Sequence, residues 1–274
     1  MFTRNRTIAT ALIAAAIVGG LASPVAAQDD VPTCDGQEAT IVGTDGNDLI
    51  FGTDGPDVIV TFGGDDEVFG EGGADVICTG NGADRVLGGA GADTVFGGKG
   101  PDVLFGGTGP DMLFGGKGGD IVFGEMGSDE IFGGRGADAL FANAPLGADV
   151  PNDTRRNLVS GGNGDDDVVG SNGDDVLLGG KGADILEGRD GQDVLEAGKG
   201  ADWLDGGAGA DTMKGGKGDD VLLIEGADDA RGGAHNVEDL CGRLVNFGGA
   251  VITDCEVIVQ ATQAEIELIF DDRF

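Results

Sequence analysis

The stretch Gly97-Gly98-Lys99-Gly100-Pro101-Asp102-Val103-Leu104-Phe105 decides the fold, because the chain repeats its pattern every nine residues. Eleven consecutive units in this frame run from Gly43 to Phe141, and seven more from Gly161 to Leu223. The fourth position is Gly and the sixth is Asp in all eighteen units, and the eighth is always Ile, Leu, Val or Met, from Ile50 to Leu222. Gly at the first, second and fourth positions permits left-handed or strained backbone, so tight turns with inward carbonyls are expected there. The last three residues of a unit, such as Val103-Leu104-Phe105, have strand propensity. Alternation in a strand sends the eighth residue to one face and the seventh and ninth to the other, which puts the aliphatic eighth residue inside. Two units then make one coil of 18 residues, and stacked coils give two parallel sheets with turns along both edges. The expected fold is all-β: a parallel solenoid with right-handed connections.

Composition sets the problem that this fold has to solve. The 274 residues include 57 Gly, 50 acids against 16 bases, one His and no Tyr, for a net charge of -34. Leu, Ile, Val and Phe make up about a quarter of the chain, above the level typical of disorder. Nucleic acid is excluded as a partner for want of a basic footprint, and one His excludes a His-based zinc site with several His ligands. Stacked coils would set the sixth-position carboxylates in rows about 4.8 Å apart, which is strongly unfavourable without a counterion. Carboxylates and backbone carbonyls are oxygen ligands that select a hard ion, and flexible Gly-rich turns suit calcium better than magnesium. If each ion bridges turns two units apart, eleven units give nine sites and seven give five. Fourteen calcium ions would cancel most of the charge.

The units resemble the glycine-rich nonapeptides of the RTX, or haemolysin-type, calcium-binding repeats, whose pattern is Gly-Gly-x-Gly-x-Asp-x-aliphatic-x. The resemblance covers all eighteen units. It implies a β-roll that folds when calcium binds, with ligation by turn carbonyls and by the sixth-position carboxylates. Those are Asp48, Asp57, Asp66, Asp75, Asp84, Asp93, Asp102, Asp111, Asp120, Asp129 and Asp138, then Asp166, Asp175, Asp184, Asp193, Asp202, Asp211 and Asp220. Ligation is expected to weaken at block ends. Units that depart at the first two positions, such as Thr61-Phe62, Thr79-Gly80 and Ala197-Gly198, keep the fourth and sixth.

The flanks bear on export. Arg4 and Arg6, an apolar run from Ile8 to Leu21, and Val25-Ala26-Ala27 after Pro24 read as a secretory signal peptide over 1–27. Without Arg4 and Arg6, fifty acids face fourteen bases, a mature charge of -36. No other candidate membrane span is found. Four Cys in an exported chain read as disulfides with three possible pairings. Cys241 and Cys255 lie close together, which leaves Cys34 with Cys78; free thiols are the alternative. Residues 28–42 and 224–274 read as terminal caps, with strands at Val251-Ile252 and Val257-Ile258-Val259. The opening around Cys34 and the closing Asp254-Cys255-Glu256 resemble small exported actinobacterial members of the family. Many RTX proteins instead leave by an uncleaved C-terminal signal, and the apolar, acidic tail from Ile266 to Phe274 would suit that route less well than the N-terminus suits its own. Residues 142–160 read as an irregular bulge in one continuous roll, or else as a hinge or partner site, and Asn157-Leu158-Val159-Ser160 resembles a unit end with Asn for Asp.

Two surface patterns remain. Phe fills the ninth position at Phe51, Phe69, Phe96, Phe105, Phe114, Phe123, Phe132 and Phe141, which predicts outer ladders that stabilise the roll or support self-association. The third position carries Lys99, Lys117 and Arg135, then Lys181, Lys199 and Lys217, each triplet at a spacing of 18. That column relieves Asp repulsion, or faces an anionic cell-envelope polysaccharide. An enzyme is not expected: His235 stands alone, the Gly-Lys pairs are followed by Gly rather than Ser or Thr, and no segment outside the repeats is long enough for a catalytic domain. The alternative is a lyase- or epimerase-like activity on polysaccharide at the roll surface.

Overall fold

A computed structural model describes residues 31–143 and 154–224, and the backbone of Asp229–Gly233, Leu240–Arg243, Val251–Thr253 and Val257–Val259. The described residues are all β, without helix, and wind into a parallel solenoid. Successive strands alternate between a 12-stranded and a 13-stranded sheet. The first sheet runs from Ile41–Val42 to Val251–Thr253 and the second from Leu49–Phe51 to Val257–Val259. Register follows the repeat: Thr94 pairs with Met112 and Val103 with Ile121, two units on. An antiparallel hairpin of Thr33–Cys34 and Gln37–Glu38 precedes the first rung. A disulfide joins Cys34 to Cys78 across 44 residues of sequence, which constrains the unfolded chain by about 4 kcal/mol in the loop-entropy picture. Cys255, His235 and residues 1–27, where a signal peptide is expected, lie outside the described residues, as does the side chain of Cys241.

Each coil contributes two aliphatic side chains to the interior, one from each sheet. The eighth-position residues from Ile59 to Leu222 have essentially no exposure and form a single continuous cluster. Each contributes roughly 1.5–3 kcal/mol relative to an exposed position. The ninth-position rings stack on the outside as expected, with Phe96, Phe114 and Phe132 in one ladder and Phe105, Phe123 and Phe141 in the other, at centroid distances of 4.8 to 5.1 Å.

Strands are longer than the three residues that propensity suggests. Val103–Thr108 and its neighbours run six residues, taking in the first three positions of the next unit. The ladder carries on through Gly98↔Gly116 and Lys99↔Lys117, so the turn proper shrinks to the Gly-x-Asp of positions four to six.

The two sheets also cross the insert without a break. Glu130 pairs with Leu158 and Arg135 with Asn163 on one side, and Ala139 pairs with Asp167 on the other. Beyond Leu223 the frame slips but the ladders persist: Thr212 pairs with Asp229, and Val221 with Leu240. Val251–Thr253 and Val257–Val259 are strands, as the sequence suggests, whereas Asp229–Gly233 and Leu240–Arg243 carry no nonapeptide signal.

Because only two aliphatics fill each coil, neighbours have little freedom to collapse around a void. Leu113→Ala is expected to destabilise the folded roll by about 2–5 kcal/mol. Denaturant unfolding of the folded protein measures it, and a loss below about 1 kcal/mol would contradict so thin a core.

Candidate metal centre

Each sixth-position Asp is fixed by the coil stacked on it. The backbone N–H of Asp66 donates to Oδ1 of Asp84 at 2.8 Å, that of Asp84 to Asp102 at 2.9 Å, and that of Asp102 to Asp120 at 2.9 Å. On this edge the chain of bonds runs from Asp48 to Asp220 and crosses the insert by Asp138 to Asp166 at 2.9 Å. On the other edge it runs from Asp57 through Asp75, Asp93, Asp111 and Asp129 to Asn157, then Asp175, Asp193 and Asp211. Asn157 therefore stands in the place of an Asp, as its local sequence suggests. All eighteen predicted carboxylates fall into these two rows.

The second carboxylate oxygen is what sets the site apart. Oδ2 is buried and accepts no hydrogen bond in Asp66, Asp75, Asp84, Asp93, Asp102, Asp111, Asp120, Asp138, Asp166, Asp184, Asp193 and Asp202. A buried carboxylate oxygen without a partner is costly. In nine of these twelve units a first-position glycine opens the space next to it; Thr61, Thr79 and Ala197 stand there in the units of Asp66, Asp84 and Asp202. A Cβ on Gly97 would lie 2.6 Å from Asp102 Oδ2 and 2.9 Å from the carbonyl oxygen of Gly115, one coil on. At Gly106 the corresponding oxygens are Asp111 Oδ2 at 2.6 Å and the Gly124 carbonyl at 2.7 Å. A carboxylate and a carbonyl oxygen thus converge on a point that any larger residue would fill. Gly97 is not in the left-handed region, so this position needs glycine for close approach rather than for its φ. Gly100, at the fourth position with φ +117°, does need it for conformation.

This donor set fits a hard divalent cation that accepts oxygen ligands at 2.3–2.6 Å. Among the described residues, no three His, Cys, Asp or Glu side chains gather at one point, so backbone carbonyls have to supply much of the coordination. Where Thr replaces the first glycine the carbonyl is reached by a hydroxyl instead: Thr79 Oγ1 donates to Gly97 O at 2.7 Å and Thr61 Oγ1 to Thr79 O at 2.8 Å.

Three turns are closed by the protein itself. With Thr44, Thr53 or Ser171 at the second position, the N–H of that residue donates to Oδ2 of its own unit, at 2.6 Å to Asp48, 2.7 Å to Asp57 and 2.6 Å to Asp175. The Thr53 and Ser171 hydroxyls add bonds of 2.9 Å. Most second positions elsewhere are left-handed, including the non-glycine Phe62, Glu71, Glu125 and Arg189. The sequence carried this distinction in the Thr and Ser side chains, which the repeat pattern alone treats as neutral.

A family profile for the RTX calcium-binding nonapeptide repeat matches residues 42–77, 79–113, 105–140, 160–195 and 187–222, which together cover more than half of the chain. The chain belongs to the RTX calcium-binding repeat family. No curated relative matches it. Repeats of this family bind calcium.

Electrostatics agree. Burial, with the other carboxylates of the row adding to it, pushes Asp102, Asp184 and Asp193 up to about 7 and Asp111 up to about 8. A carboxyl raised on folding stabilises the metal-free roll while protonated, and that contribution is lost as pH rises from about 4 through about 8. Calcium competes with those protons, so its apparent affinity moves the other way. In chelator the β signal is expected to persist at about pH 5 and fade by about pH 8, while the calcium midpoint drops over the same range. Circular dichroism reads both, and a pH-independent midpoint would contradict the assignment.

Proposed function

We propose that this RTX protein is an exported calcium-responsive structural module, in which calcium held by the open turns switches the chain from a self-repelling coil to a rigid roll. The observation that carries the reading is the row of buried, unbonded Oδ2 atoms. Each such carboxylate is expensive to bury unpaired, by several kcal/mol, and the glycine-opened space beside it suits one kind of partner. Asp102, Asp120, Asp138, Asp166 and Asp184 on one edge, with Asp75, Asp93, Asp111 and Asp193 on the other, would hold the ions with turn carbonyls; Asp66, Asp84 and Asp202, beside Thr61, Thr79 and Ala197, have less room for one. The bound ions would supply charge neutralisation and the free energy that stacks one coil on the next.

Asp48, Asp57 and Asp175 are proposed to contribute least, because their second oxygen is already bonded. Export is supported by the signal-like residues 1–27 and by the Cys34–Cys78 disulfide. An affinity in the range of extracellular modules, about 0.1 to 1 mM, follows for turns built on one carboxylate and neutral carbonyls.

Titration with calcium, followed by circular dichroism and by counting bound ions, tests both parts. The protein is expected to gain β-structure cooperatively, and full β-structure in excess chelator at about pH 8 would end the proposal. Asp102→Asn is expected to lower the ion count and raise the calcium midpoint severalfold, whereas Asp57→Asn leaves the count unchanged. Equal losses from both variants would remove the distinction between open and closed turns.

A further inference from the structure

We propose that the roll edge bearing Lys99, Lys117, Arg135, Lys181, Lys199 and Lys217 is a docking strip for one linear acidic polysaccharide chain. The inference deepens the calcium-responsive reading and rests on it for the loaded state.

Parallel register sets these side chains in a single column. Lys99 pairs with Lys117, Lys117 with Arg135, Arg135 with Asn163, Asn163 with Lys181, Lys181 with Lys199 and Lys199 with Lys217. All six cations are exposed, and successive rungs are about 4.8 Å apart. Like charges at that spacing repel one another, so the column calls for a reason.

Relief of the neighbouring Asp row does not supply one, because the molecule contains its own control. The opposite edge buries Asp93, Asp111, Asp129, Asp193 and Asp211 in the same way. Its third positions are Ala90, Thr108, Met126, Asp190 and Ala208, with no cation among them. Nor do the column cations spend themselves on carboxylates. Lys99 Nζ donates to Asn81 Oδ1 at 2.8 Å and Lys181 Nζ to Asn163 Oδ1 at 2.7 Å, both neutral partners that steady the ammonium on the edge. Ion pairs among the described residues include Arg85–Glu67, Arg189–Glu187 and Lys214–Glu196, and none of these uses the column.

The column also follows the edge whose row of sixth-position Asp is unbroken from Asp66 to Asp220, whereas the other row is interrupted by Asn157 and the closed turn of Asp175. Loading calcium would therefore neutralise the carboxylates beneath the column and leave its charge uncompensated. Beside Lys99, Lys117 and Arg135 the fifth positions are Pro101, Gly119 and Ala137, which keeps this stretch free of acid; Asp165 and Asp219 stand farther along.

The shape of the column selects the partner. A straight, narrow line of charge at rung spacing matches an extended chain with an acid on every residue or every second residue. The faces on either side present Phe ladders and acids, and the face cations Arg85 and Lys214 are paired with Glu67 and Glu196. A double helix, which spreads its phosphates over a wide cylinder, would meet the acidic body as well as the column.

Fluorescence anisotropy with a labelled chondroitin sulfate oligosaccharide, at saturating calcium and about 0.1 M salt, tests this. Wild-type protein is expected to bind, and the triple variant Lys99→Gln, Lys117→Gln, Arg135→Gln to bind about tenfold more weakly with steeply reduced salt dependence. The control pair Arg85→Gln, Lys214→Gln removes two cations outside the column and is expected to change binding by less than about twofold. Should the triple variant lose its calcium-induced β signal, Lys117→Thr alone, copying Thr108 of the opposite edge, is expected to weaken binding about two- to threefold. Absence of wild-type binding, equal binding by wild type and the triple variant, or equally tight column-dependent binding of duplex DNA would each overturn the proposal. Failure of the calcium reading shows separately, as a circular dichroism signal that does not respond to calcium.

Discussion

Everything in this roll depends on one hydrogen bond repeated along two edges: the backbone N–H of one sixth-position Asp donating to Oδ1 of the Asp a coil further on. It fixes the stacking distance and orients the carboxylate. It also spends one of the two oxygens, so that in turns such as that of Asp102 the other is buried without a hydrogen-bond partner. The sheets and the aliphatic interior support this arrangement but do not resolve its electrostatic cost. A polypeptide that buries carboxylates in files has a fold whose completion is assigned to something outside the chain.

Glycine enters that logic in two different ways. At the fourth position it supplies a backbone conformation, as at Gly100, and a side chain there would strike the coil below. At the first position it supplies room, as at Gly97, beside the unbonded oxygen. Substitution at the second position is tolerated in two forms. Phe62, Glu71, Glu125 and Arg189 accept left-handed backbone, at a cost of roughly 1–2 kcal/mol each. Thr44, Thr53 and Ser171 let the turn relax and seal it with their own N–H and hydroxyl groups.

Much of this was legible in the nine-residue frame. The 18-residue register, the inward eighth position, the outer Phe ladders and the positions of the carboxylates all follow from a period that the chain keeps through eighteen units. The six-residue strands were not legible, because Gly-Gly-x has no strand propensity and is held in the ladder by its neighbours alone. Asp229–Gly233 and Leu240–Arg243 were missed for a related reason: once two sheets present open edges, a following chain can pair with them at spacings of 17 or 19 residues without the repeat. Whether a turn is open or sealed was written in single Thr and Ser residues, but its meaning required knowing where their N–H groups point.

An interior of two aliphatics to a coil has a consequence for how such a chain can change over time. With positions four, six and eight committed and the first two tied to the turn, the surface is written at the third, fifth, seventh and ninth positions. Residues 18 apart in sequence become adjacent on a straight lattice. The roll therefore works as a ruled page: each coil is a line, each outward position a margin, and duplication of two units adds a line without disturbing the others.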